Sequence, residues 1–199
     1  DLAAAIEVYL ELIDSDSSNS DLHHLLGIAY SQSGDNQAVT KSIKRAIKLD
    51  DQQAAYYNSL GNIMLRTHNF KKAIEAFAQA ITISPQYAIA YNNLGRCYFL
   101  DDDYQQAEKY YQQALEHNAE LIDAHFNLGV LFATQHKSAE AINALTKTLE
   151  LAPNHYIAHG QLGDIYLEQG DLTQAISHLT QRLAHQPVHT ETLHSLGQA

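Results

Sequence analysis

Few side chains in this sequence are arranged to do chemistry. Twelve histidines invite a metal site, since neutral imidazole is a common ligand for transition metals. His155 and His159 are four apart, and His125 precedes His159 by 34 residues. No carboxylate or cysteine completes a ligand set, and Pro153 and Asn154 put His155 at or before a helix start. These histidines are therefore expected to pack as half-buried aromatic rings, and no metal or other cofactor is expected. The single cysteine, Cys97, excludes an internal disulfide and a multi-cysteine zinc site. It stands where Ala29, Ile63, Leu131 and Ile165 stand at intervals of 34, so an inert core role is expected. The run Asp101, Asp102 and Asp103 lacks the alternating ligands and glycine of a calcium loop. Lys41, Lys44, Arg45 and Lys48 form a basic stripe at helical spacing, expected to be a solvated outer face. The sequence has no phosphate-binding glycine loop, no His-Glu-x-x-His and no nucleophile elbow. No catalytic residues are assigned, and an enzyme is not expected.

The elements that would position any site must then be helical. Of 199 residues, 45% are hydrophobic and only three are proline, which suits long helices around a sizeable core. No apolar run approaches the length needed to span a bilayer, so membrane insertion is not expected. The formal net charge of −11 argues against nucleic acid as a partner, because phosphate neutralisation supplies most of such affinity. No leader is visible, which favours the cytoplasm; the chain opens at Asp1, so a leader could have been removed.

A fixed period organises the chain. Gly27, Gly61, Gly95, Gly129, Gly163 and Gly197 are spaced by 34, and a leucine precedes each. Twelve residues on stand Val39, Ala73, Ala107, Ala141 and Ala175; four further on stand Ile43, Phe77, Tyr111, Leu145 and Leu179. The glycine lets a partner helix approach, and the small and bulky positions form the partner's packing face. Asp35, Asn69, Asp103 and Asp171 precede the second helix as N-caps. Pro85, Pro153 and Pro187 separate units. Each unit is a helical hairpin whose core is completed only by its neighbours.

The stretches AYYNSLGNIMLRTHNFKKAIEAFAQAITISP (55–85) and AYNNLGRCYFLDDDYQQAEKYYQQALEHN (90–118) resemble the tetratricopeptide repeat family. The resemblance implies an all-α, right-handed superhelical solenoid of antiparallel helix pairs. It implies one array over 1–199, with full repeats at 20–53, 54–87, 88–121, 122–155 and 156–189. Residues 1–19 would be the second helix of an earlier repeat, with Ala5, Tyr9 and Leu12 on its packing face, and 190–199 the first helix of a sixth. Both ends fall inside a repeat, so a longer protein is expected.

The resemblance also implies a protein or peptide partner, bound in extended form along the concave face of the first helices. Carried onto this chain, the family's groove positions are Asn58, Asn62, Leu65 and Arg66 in the second repeat. The third repeat supplies Asn92, Asn93, Arg96, Phe99 and Leu100, and the fourth Asn127. Asparagine amides can pair with a peptide backbone whatever its side chains, and the arginines could hold a carboxylate. The same amides could instead hydrate an inner wall or bond between neighbouring helices. Two other roles fit the pattern: a substrate-targeting module of a larger enzyme, glycosyltransferase-like, and a homo-oligomer stacked through uncapped repeat ends.

Overall fold

The computed structural model describes residues 2–185 and residue 195. Apart from Ser195, the expected helix for 190–199, with Leu196 and Gly197, and the break at Pro187 lie outside the described residues. Eleven α-helices and no strand occur among the described residues. After α1 (Leu2–Ser15), first helices α2 (Ser20–Ser33), α4 (Ala54–Arg66), α6 (Ala88–Leu100), α8 (Ile122–Thr134) and α10 (Tyr156–Glu168) each begin 34 residues after the last. Second helices α3 (Asn36–Leu49), α5 (Phe70–Ile83), α7 (Tyr104–His117), α9 (Ser138–Leu151) and α11 (Leu172–His185) keep the same interval. The chain is an all-α solenoid of helix pairs. It divides into two compact units, Asp1–Asp102 and Asp103–Ala199.

In the first unit α1 packs on α2, α2 on α3, α3 on α4, α4 on α5 and α5 on α6. The periodic glycines explain the closeness within a pair. A Cβ at Gly61 would stand 2.5 Å from Cε1 of Phe77, and one at Gly27 would stand 2.8 Å from Ile43. Phe77, Ala73 and Ala80 are fully buried, so α5 meets α4 along the predicted face. In the second unit α7 packs on α8, α8 on α9, α9 on α10 and α10 on α11. There Cβ atoms at Gly129 and Gly163 would stand 2.6 Å from Leu145 and Leu179.

A second periodicity lies in the backbone. Gly34, His68, Asp102, His136 and Gly170, again 34 apart, all have left-handed φ between 56° and 81°. His68, His136 and Gly170 close their first helices with paired backbone bonds. At α4, His68 N–H donates to Leu65 O at 3.0 Å and Asn69 N–H to Met64 O at 2.8 Å. The same 5→2 and 6→1 pairs recur at His136 and Lys137 and at Gly170 and Asp171, the Schellman arrangement. This turn aims the chain back along the first helix.

The expected caps form in part. Asp35, Asp103 and Asp171 accept backbone N–H bonds from the second helix's first turn. Asn69 makes no such bond.

Candidate functional site

The candidate residues of the first unit sit on α4 and α6, and the structure sorts them into two sets. Asn58, Asn92, Asn93 and Leu65 are buried, at 8%, 3%, 6% and 7% exposure. Asn62, Arg66, Arg96 and Leu100 are exposed, and Phe99 is half-buried. The position rule placed all of them on one groove surface. The difference arises because the fifth position of a first helix faces the next first helix. Asn93 Nδ2 donates to Asn58 Oδ1 at 2.9 Å, so these two amides satisfy each other between α4 and α6. A buried amide needs such a partner.

The junction between α2 and α4 uses the same offset of 35 or 36 residues. Tyr56 Oη donates to Asp21 Oδ1 at 2.5 Å and lies 3.1 Å from Ser20 Oγ. Burial of Tyr56 and the Asp21 carboxylate beside it push its phenol pKa up. His24 Nε2 lies 2.8 Å from Ser59 Oγ, and its ring is 4.6 Å from that of Tyr56. Burial lowers the pKa of His24, against the opposing pull of Asp21. Arg66 reaches back across the junction, donating to Ser31 Oγ at 3.0 Å and to Asn36 Oδ1 at 2.6 Å.

Between these bridges a cleft of about 250 Å³ opens. Ile28, Ser31 and Gln32 of α2 form one wall, Ser59, Asn62 and Arg66 of α4 the other, and Val39, Ile43 and Ile63 reach its floor. An apolar floor with amide, hydroxyl and guanidinium groups at the rim suits a short extended segment. The sequence reading left out Ile28, Ser31 and Gln32. They occupy the ninth, twelfth and thirteenth positions of the first repeat, so the rule that chose Asn62, Leu65 and Arg66 also points to them. Asn127, on α8 in the second unit, is half-buried and is not brought to this cleft.

Family models described as tetratricopeptide repeat match residues 20–53, 53–120, 86–154 and 132–198. The chain belongs to the tetratricopeptide repeat family. No curated protein sequence matches it. A chain of the APC/C hetero-tetramer Cut9-Hcn1 superposes with a TM-score of 0.90 at 21% identity, covering 98% of this chain and 39% of that one. This chain therefore spans well under half of that relative. PilW, a type IV pilus biogenesis factor, gives 0.87 at 19% identity, covering 98% and 91%. YrrB, described as a TPR protein with an unusual peptide-binding site, gives 0.65 at 22% identity, covering 96% and 98%. At these identities the likeness carries the fold. The repeat architecture is that of a protein-interaction scaffold.

In this tetratricopeptide array the histidines close loops. His23, His125 and His159 place Nε2 within 3.2 Å of the carbonyl six residues earlier, on Ser17, Ala119 and Pro153. Tyr91 donates to Pro85 O in the same way. His155 caps α10, accepting from Ala158 N–H through Nδ1 at 3.1 Å. His159 Nδ1 lies 2.9 Å from His178 Nδ1. Because Pro153 O only accepts, His159 Nε2 donates to it, and at the Nδ1–Nδ1 contact one ring donates to the other. No group of three metal ligands occurs among the described residues. Burial pushes the Cys97 thiol up to about 12, which suits an inert core residue.

Proposed function

We propose that the first unit binds an extended peptide segment of a partner protein along the first-helix face, in the cleft between α2 and α4 and onward past Arg96. The observation that carries this reading is the cleft itself. It is apolar at its floor, and Asn62 and Arg66 stand exposed at its rim. Ile28 (38% exposed) and, further along, Leu100 (51%) offer apolar contact. Asn58 and Asn93 act on this reading as the polar seam that holds α4 and α6 in register. No chemical step is assigned to any of these residues.

The test selects binding peptides from a displayed library and titrates them by fluorescence anisotropy. The double variant Asn62→Ala with Arg96→Ala changes two exposed side chains for which no bond partner occurs among the described residues. Affinity should fall roughly tenfold or more, as expected when two polar contacts of about 1 kcal/mol each are lost. The helical signal and melting should stay unchanged. Unaltered affinity in the double variant would remove this face as the binding surface.

A further inference from the structure

The opposite, second-helix face of the same unit carries a charge pattern that the chain's composition hides. The chain bears a formal net charge of −11, yet α3 has four cations and no acid: Lys41, Lys44, Arg45 and Lys48. Helix α5 adds Lys71 and Lys72 against the single carboxylate of Glu75. All six cations are exposed. The ion pairs among the described residues are Lys137–Glu108 and Lys147–Glu150, so none of the six is neutralised by a described carboxylate. Half of the chain's twelve Lys and Arg residues thus stand on two consecutive second helices with no ion pair among the described residues.

The cations flank apolar depressions. A cleft of about 340 Å³ separates α3 from α5; Lys44 and Lys72 stand on its two sides, Glu75 also lines it on the α5 side, and Tyr57, Leu60 and Met64 of α4 form its floor. On the other side of α3 a cleft of about 290 Å³ is lined by Leu10, Leu26 and Tyr30, with Lys41 and Arg45 on its wall. The basic ridge of α3 is therefore bordered on both sides by apolar ground. Leu60 and Met64 pack on the core of Val39, Ile43 and Ile63 but are only half-buried, which leaves apolar surface between the lysines.

We propose that this face docks an acidic segment of a partner protein, with a large apolar side chain seated over Leu60 and Met64 and carboxylates on Lys44 and Lys72. Charge complementarity selects the occupant. At physiological salt the chain's overall negative charge is screened beyond about 8 Å, so a ligand feels the local cations; an acidic peptide can place an aliphatic side chain on the apolar floor between them, which a phosphate backbone lacks. The apolar floor supplies what charge alone lacks, because exposed ion pairs contribute little and are screened. The site is separate from the first-helix cleft and stands or falls independently of it.

The probe is a fluorescein-labelled peptide of repeated Glu-Glu-Leu, titrated into the full chain at low and physiological salt. Companion peptides replace Glu by Gln or Leu by Ala. The Glu-Glu-Leu peptide should bind, weaken with salt, and lose roughly tenfold or more in affinity on Lys44→Glu with Lys72→Glu, where attraction becomes repulsion. Both companion peptides should bind more weakly. Reversal of Lys109 and Lys147 to Glu in the second unit, and the Asn62→Ala/Arg96→Ala pair, should leave binding unchanged. Leu60→Gln, which keeps every cation, should weaken the peptide with little change in salt slope. Failure of the peptide to bind, or indifference to Lys44→Glu/Lys72→Glu, overturns the proposal. So does preference for a single-stranded oligonucleotide, or sedimentation showing that the face joins two copies of this chain.

Discussion

Replacing Gly61 by alanine tests the physical basis of the repeat. In an exposed helix that change gains about 1 kcal/mol from propensity alone. Here the new Cβ would stand 2.5, 2.7 and 2.8 Å from three ring carbons of the fully buried Phe77. The ring cannot retreat without moving α5, and overpacking of this kind costs about 1–3 kcal/mol. The two effects oppose, and with contacts this close the clash should win, leaving a net loss of up to about 2 kcal/mol. Phe77→Ala alone should cost about 3–5 kcal/mol through lost burial and a cavity. In that background the clash is gone, so Gly61→Ala should become stabilising by about 1 kcal/mol. The double-mutant cycle should therefore give a coupling of roughly 1–3 kcal/mol, the double variant being less destabilised than the sum of the singles. The assay is urea denaturation followed by circular dichroism, with amide exchange of α4 and α5 as a local readout, since repeat arrays need not unfold in one step. Additive effects, or a stabilised Gly61→Ala single variant, would refute close helix approach as the reason for this glycine.

Glycine at the left-handed position should help where it is missing: His68→Gly and His136→Gly should be neutral to about 1 kcal/mol stabilising. Gly34→Ala, with φ of 81° and nothing within 4 Å of its new Cβ, should lose about 1 kcal/mol through backbone strain alone, measured by chemical denaturation. Asn93→Ala should cost about 1–3 kcal/mol by stranding the Asn58 carboxamide, whereas Asn62→Ala should stay within about 0.5 kcal/mol; equal effects would contradict the division between seam and surface. His178 has a pKa lowered from 6.5, first by burial and then by His159. The unfolded chain then takes up the proton more readily, so this contribution is intact above about 6.5 and is lost as pH falls toward the lowered folded value. His178→Gln should flatten that acid-side decline in the urea midpoint, and an unchanged slope would count against the pair.

Much of this fold could be read before any coordinates, and the reason is redundancy. The Leu-Gly pair recurs five times within the described residues, and the bulky residue sixteen places on meets its glycine at Gly27, Gly61, Gly129 and Gly163. A contact made repeatedly in one register leaves a visible period. The left-handed turn recurs just as often but is filled by Gly, His, Asp, His and Gly, so its common conformation has no common residue type. The candidate site was legible only in outline. The position rule finds the first-helix face, but whether an asparagine there meets solvent or its neighbour depends on a 35-residue offset between helices. Asn58 and Asn92 fall on the inner side of that offset, and Asn62 and Arg96 on the outer. The basic clefts were less legible still, because each needs three helices: the α4 residues of the floor give no sign in sequence that lysines from α3 and α5 stand over them.

Arg66 joins the two roles of the first-helix face. Its guanidinium is a wall of the cleft and also a bridge, held by Ser31 Oγ and Asn36 Oδ1 from the preceding repeat. Both acceptors are neutral. A carboxylate arriving in the cleft offers a charge-assisted pair about twice as strong as the bonds it displaces. The gain is small at an exposed site, because solvent screens the pair and the freed hydroxyl and amide must be rehydrated. Arg96, one repeat on from Asn62, carries no such bridge among the described residues. A ligand anion that settles on Arg96 leaves the stacking of α2 on α4 untouched, while one that settles on Arg66 must exchange a structural contact for a binding one. The proposed groove is thus uneven along its length: the outer arginine is free to discriminate among ligands, and the inner one is already committed to the fold.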